Sequence, residues 1–291
     1  MRPLSRRRLR LLKVLALLSQ IRWYNILLLL IGQYLAALFV FAQPGNRLNV
    51  FYDYDTHAII WSSSLLLAFG FLINSFYDLE ADSINRPKQT AFERLVSKAT
   101  SLRVALLLLV TGLLLSYTVN WKSLGFFLSY AGGLWYYSHK LSKIPIISHV
   151  SAAVLALYPF FGIAVHQHYI SLHTLAFGSL LGLTLFSREL LKDLMRYKGD
   201  IVAGRATAVS EFGIEKTRNA LLVNTSMAWV PAFFTKGLFS GMAEIGIVII
   251  LIGLTASNLL TLRSNELSNL RWAHLGYKII LVIGVLTIPF L

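Results

Sequence analysis

The sequence predicts an all-α integral membrane protein, nine transmembrane helices with the N-terminus in the cytoplasm. Three observations carry that prediction. Of the 291 residues, 56% are hydrophobic and only 14% charged, with a mean hydropathy of +0.64; soluble domains carry about a quarter charged residues. Apolar runs long enough for the roughly 20 residues that cross a bilayer recur along the chain. Basic residues gather in alternate loops, as the cytoplasmic bias of Lys and Arg requires.

The runs fall at 23–42, 58–77, 102–121, 123–139, 145–166, 171–189, 217–235, 243–262 and 272–291. The fifth and sixth come from one charge-free tract, Ile144 to Ser187, divided at the polar cluster HQHYISLH. With the N-terminus inside, the inside segments 1–22, 78–103, 140–143, 188–218 and 263–271 hold seven, five, two, seven and two basic residues. The outside loops hold Arg47, Lys122 and Lys236, and Lys278 lies within the last run. A multi-pass protein of the cell (inner) membrane follows, a single domain over 1–291. Residues 1–20 form a basic segment on the membrane surface or a solvated tail, with no small-residue cleavage site behind it. The net charge of +14 does not indicate nucleic acid, because the bases lie between apolar runs. Cysteine is absent, which excludes disulfides, thiolate metal sites and cysteine nucleophiles.

Polar chemistry belongs in the two long inside loops. In the first, FLINSFYDLEADSINRPKQ places Asn74, Asp78 and Asp82 four residues apart, on one helical face at the end of the second span. Carboxylates at the hydrocarbon edge are costly unless paired, hydrated or bound to a cation. Mg²⁺ takes oxygen ligands and joins carboxylates to substrate phosphates, and Arg86 and Lys88 follow close behind to hold phosphate oxygens. An ordinary solvated helix end, its acids and bases in salt bridges, has the same pattern. In the second loop, SRELLKDLMRYKGDIVAGRATAVSEFG, Asp193 and Asp200 are two turns apart and share a face if the helix reaches Gly199. Gly199 and Gly204 mark where it should break. Arg205 follows Asp200 much as Arg86 follows Asp82, so the two clusters read as half-sites facing each other.

These segments resemble the UbiA-type intramembrane prenyltransferases. Asn74, Asp78 and Asp82, followed by INRP, match the family's first motif NxxxDxxxD, and RELLKDLMRYKGD is most similar to the second motif of the digeranylgeranylglyceryl phosphate synthase-like branch. RWYN at 22–25 and YSHKLSKIP at 137–145 also resemble family segments. One departure stands out: Arg196 occupies the position of the first acid of the second motif. The resemblance implies nine transmembrane helices around a central cavity, and Mg²⁺-dependent transfer of an isoprenyl group from an allylic diphosphate, such as geranylgeranyl diphosphate, to a membrane acceptor at the cytoplasmic face. It implies Asp78, Asp82, Asp193 and Asp200 as catalytic acids, with Asn74, Asp78, Asp82 and Asp200 around the metal. Arg22, Asn25, Arg86, Lys140, Arg188, Lys192, Arg196 and Arg205 are implied as diphosphate contacts. The acceptor is a geranylgeranylglyceryl-phosphate-type lipid or an aromatic ring bound for a quinone.

Tyr136, Tyr137, Phe69, Phe71 and Tyr158 lie on candidate cavity helices, where aromatic faces would shelter an allylic cation, though plain packing is the simpler account of each. Pro159 and Gly162 fall inside the fifth span, where a kink is expected. His166, His168 and His173 have no acid near them in sequence and read, like Asp53 and Asp55, as solvated outer loop. A transporter would set its acids near the midplane on broken helices, and a catalytically lapsed homologue would explain Arg196; both stand as alternatives to the enzyme.

Overall fold

A computed structural model describes residues 5–42, 47–168, 170–234, 241–263 and 266–291. Within them the chain is helical throughout, with no strand. It folds as two compact units, Met1–Leu30 with Ala58–Lys140, and Ile31–His57 with Leu141–Leu291.

In the first unit, α1 (Arg6–Ile21) opens on Ser5, whose hydroxyl accepts from the Arg8 amide. The expected surface segment is therefore a capped helix. It is tied down by Ser19 donating to Glu93 (2.7 Å), Gln20 donating to the Glu93 carbonyl (2.8 Å) and Ser101 donating to Gln20 (2.9 Å). Arg22 sits in the left-handed region (φ 55°) and turns the chain into α2 (Trp23–Ala36). α3 (Tyr54–Tyr77) is followed by the short α4 (Leu79–Asn85) and α5 (Pro87–Glu93), whose first position takes Pro87 because that amide needs no partner there. α6 (Lys98–Val119) and α7 (Trp121–His139) complete the unit. Gly70 and Gly112 let these helices close up: a Cβ on Gly70 would meet Leu134 at 3.0 Å, and one on Gly112 would meet Leu66 at 3.1 Å.

The second unit holds a π-helical turn (Ala37–Phe41), a 3₁₀ turn (Arg47–Phe51), and α8 (Ile147–His166), α9 (Leu172–Val202), α10 (Ala208–Phe234), α11 (Met242–Arg263) and α12 (Leu267–Thr287). The long charge-free tract does divide at 167–171. Pro159 stays inside α8, and its carbonyl accepts from the buried Gln33 amide at 3.2 Å. A buried polar chain ties four helices: Tyr277 donates to Asn258, Asn258 donates to Thr225, and the neighbouring Asn224 donates to Ser187 (2.6 Å) and to the Leu183 carbonyl (2.8 Å). Such bonds are each worth about 0.6 to 2 kcal/mol in a bilayer.

Seven of the described helical stretches are long and apolar enough to cross a membrane: Trp23–Phe41, Tyr54–Tyr77, Lys98–Val119, Ile147–His166, Leu172–Val202, Met242–Leu262 and Leu267–Phe290. The chain is a multi-pass membrane protein. Helices also occupy the places of the expected fourth and seventh spans, α7 and α10, but Gly, Ser and His dilute α7, while α10 carries Arg218, Asn219 and Asn224 and a non-helical Gly213 (φ 85°). The end of the expected seventh span at residue 235 lies outside the described residues, as does Lys236.

Candidate active site

The first motif is built at the junction of α3 and α4. Asp78 departs from helical geometry (φ −91°, ψ 3°), so the expected single helix is in fact two. The backbone ladder nevertheless continues through it: Asp78 N–H donates to the Asn74 carbonyl (2.9 Å), Asp82 to Asp78 (2.8 Å) and Arg86 to Asp82 (2.8 Å). The four-residue register therefore survives the break. Asn74 Nδ2 donates to Asp78 Oδ2 at 2.6 Å, which turns the amide oxygen away; Asn74 Oδ1 is buried and has no hydrogen-bond partner. Arg86 reaches back to Asp82 through Nε (3.2 Å) and Nη2. Burial works against the charge on Arg86, but its bonds to Asp82 and the fields of Asp82, Glu93 and Asp78 carry its pKa above the ordinary value. Glu80 and Lys88 are exposed, away from the stripe.

Two residues from the start of the chain belong to the same unit. Arg22 lays its guanidinium over Phe71, 5.0 Å from the ring centroid and one turn ahead of Asn74 on α3. The amide of Asn25 donates to the Arg22 carbonyl at 2.8 Å. Lys140 caps the C-terminus of α7 through its own amide, bonded to the Tyr136 carbonyl at 2.9 Å, with its side chain exposed.

The second motif lies wholly on α9. That helix runs through Gly199, where a break was expected, because nothing there calls for a positive φ; the turn comes at Gly204 (φ 64°). There the Arg205 amide donates to the Asp200 carbonyl at 2.9 Å, closing the helix end. Asp193 and Asp200 thus share one continuous helix, as the spacing requires. Asp200 is buried. Asp193 Oδ2 accepts from His149 Nε2 (3.0 Å) and from the Ala208 amide (3.0 Å), binding α8 and the start of α10 to α9. His149 itself was invisible to sequence reasoning, since 44 residues separate it from Asp193. Glu189 pairs with Arg188 (3.7 Å) and with Lys192, one turn before Asp193.

The second unit also forms a half-open cavity of about 910 Å³, within the range of ligand pockets. Its wall is almost wholly apolar, with Phe160, Phe161, Phe177 and Phe186 as the aromatic faces and Asn224 as a polar exception. None of the five aromatics singled out in the sequence lines it. Phe186 stands edge-on to His149 (5.9 Å), so one wall of the cavity leads through His149 to Asp193.

The expectation that the histidine group lacks acids is overturned. Asp53 Oδ2 accepts from His166 Nε2 at 3.1 Å, and Asp53, Asp55 and His166 lie close enough to share a ligand. Although burial raises it, bonds from Thr56 and His166 hold the Asp53 carboxyl below its ordinary range. Its bonds to the Asp55 and Thr56 amides make it the cap of α3.

The UbiA prenyltransferase family model matches residues 35–276, most of the chain. The chain belongs to the UbiA prenyltransferase family. Similar proteins include the digeranylgeranylglyceryl phosphate synthase of Sulfurisphaera tokodaii, 25% identical over 233 residues (77% of this chain, 84% of that one). That of Methanoregula boonei is 30% identical over 192 residues (64% and 69%). In fold, this UbiA prenyltransferase is similar to a solved digeranylgeranylglyceryl phosphate synthase (TM-score 0.70, 20% identity, covering 95% and 97%). It is likewise similar to a UbiA homologue of Archaeoglobus fulgidus bound to GPP and Mg²⁺ (TM-score 0.64, 16% identity, covering 94% and 99%).

The first motif of this prenyltransferase fits a Mg²⁺ ion by its chemistry. A buried amide oxygen without a partner, on the side chain that bonds the Asp78 carboxylate, supplies hard oxygen donors of the kind that ion selects, while Asp82 is held by Arg86.

Proposed function

We propose that this prenyltransferase moves a geranylgeranyl-type chain from its allylic diphosphate to the free hydroxyl of a geranylgeranylglyceryl-phosphate-type lipid. The reaction takes place at the cytoplasmic face of the cell membrane, in a chain of nine spans with its N-terminus inside. The carrying observation is Asn74 Oδ1, buried, unpartnered and in register with Asp78. The names of the relatives support the lipid acceptor, and the A. fulgidus homologue supports the metal and the diphosphate.

Asn74, Asp78 and Asp82 would hold Mg²⁺, with Asp200 as a further acid. The ion, when bound, supplies Lewis-acid neutralisation of the leaving diphosphate. Arg22, Asn25, Arg86, Lys140, Arg196 and Arg205 hold and orient diphosphate oxygens. The Arg86 guanidinium, fixed by Asp82, presents its remaining donors without losing side-chain freedom on binding. The prenyl C1–O bond breaks with its electron pair leaving on diphosphate. The acceptor hydroxyl forms the new C–O bond and releases its proton. An apolar surround shelters the chain from water, which would otherwise capture the allylic cation.

The test is a panel with geranylgeranyl diphosphate held constant, with and without Mg²⁺, offering geranylgeranylglyceryl phosphate or a hydroxybenzoate. Mg²⁺-dependent ether formation with the lipid is expected. Transfer only to the ring would establish the aromatic alternative, and no release of diphosphate with either acceptor would mark a lapsed homologue.

A further inference from the structure

Lys278 has no part in the diphosphate site, yet it is a charge inside the last span, where an ionisable side chain ordinarily marks function. Its surroundings explain it. The bond from Tyr277 to Asn258 fixes the rotation of α12, and the bond from Asn224 to Ser187 fixes that of α9. On α12 this sets His274 and Lys278, one turn apart, on a common flank; on α9 it does the same for Arg188 and Lys192. α9 and α12 pack together, and His274 lies within the field of Arg188, Lys192 and Lys278. Among the described residues Glu189 pairs with two of these cations, Arg188 and Lys192. Two nitrogens in the group are buried without a hydrogen-bond partner, Arg188 Nε and His274 Nδ1. An orphaned, buried guanidinium donor among excess cations is costly unless an anionic oxygen meets it.

We propose that Arg188, Lys192, His274 and Lys278 form the seat of the acceptor's phosphate, separate from the residues that hold the donor's diphosphate. The assignment rests on the glycerophosphate acceptor proposed above and reassigns Arg188 and Lys192 from donor to acceptor. A phosphate monoester carries close to two negative charges at neutral pH, which matches a cluster of three fixed cations and one acid. Arg188 Nε–H donates to a phosphate oxygen, as does His274 when its proton is on Nδ1, and Lys278 supplies the unshared charge.

The test is steady-state kinetics of the full chain in lipid nanodiscs, varying geranylgeranylglyceryl phosphate and geranylgeranyl diphosphate separately. Geranylgeranylglycerol serves as the acceptor lacking phosphate. For Lys278→Gln and His274→Gln the KM for the phosphorylated acceptor should rise about tenfold or more. KM for the donor should stay within about twofold, Lys278→Arg should restore the acceptor KM, and the preference for the phosphorylated acceptor should collapse. An unchanged acceptor KM, or an equal rise in the donor KM, overturns the assignment while the proposed reaction stands. If the unaltered protein transfers to neither lipid, the proposed reaction itself has failed, and the phosphate seat with it.

Discussion

The two motifs spend their acids differently. In the first, Asn74, Asp78 and Asp82 hold a four-residue register, and the amide that bonds Asp78 leaves its own oxygen buried and unpartnered. In the second, Asp193 is committed to His149 and the Ala208 amide, Asp200 is buried, and Arg196 stands between them. One motif is an oxygen donor set; the other is a helix fastened to its neighbours, rich in fixed positive charge. In the function proposed above, this makes a division of labour: most metal ligands on the first motif, mainly cations and scaffolding on the second.

The comparison breaks most sharply at Asp78. Asp78→Asn keeps the shape and the bond partner but removes the charge, and turnover with geranylgeranyl diphosphate should fall about 100-fold or more. Half-saturating Mg²⁺ should rise in parallel. An equal loss at Asp193 but none at Asp78 would invert the division.

A smaller effect belongs to Arg196. As a diphosphate contact, its replacement by Ala should raise KM for the prenyl diphosphate about tenfold, the worth of one charge-assisted bond. The Mg²⁺ requirement should not change. Arg196→Asp, which restores the acid of the family pattern, should shift the Mg²⁺ requirement instead; if it shifts neither quantity, the position is outside the site.

Much of this was legible in the sequence because helices in lipid must satisfy their own backbone, so apolar length reports spans: seven of the nine expected stretches are long and apolar enough to cross. Register is local too: Asn74, Asp78 and Asp82 are in step through four-residue backbone bonds, which even the break at Asp78 does not interrupt. What escaped is non-local. His149 on Asp193, and Asp53 on His166, join residues 44 and 113 positions apart, and no spacing announces them. The cavity phenylalanines escaped for a related reason: Phe160, Phe161, Phe177 and Phe186 sit in spans where every position is apolar, so periodicity does not distinguish a lining residue from a packed one. Gly199 misled because glycine lowers helix propensity by only about 1 kcal/mol. A 31-residue helix fastened at Asp193 carries that cost.

The smallest expected effect on turnover, and the one that refines the comparison most, is at Asp193. Its carboxylate accepts from His149, which is 3% exposed, and from the amide that begins α10. Asp193→Ala removes the single oxygen, Oδ2, that accepts from both His149 and the Ala208 amide, so both bonds are lost. A lost bond to a buried partner costs about 1–3 kcal/mol. Thermal unfolding in detergent should therefore occur at a lower temperature, while kcat on the folded fraction changes only a few-fold and the Mg²⁺ requirement stays put. His149→Gln, whose amide can still donate to Asp193, should recover part of the lost stability that His149→Ala does not. If Asp193→Ala instead left unfolding untouched and abolished turnover, Asp193 would be a catalytic acid in its own right. The second motif would then share the ligand work here assigned to the first.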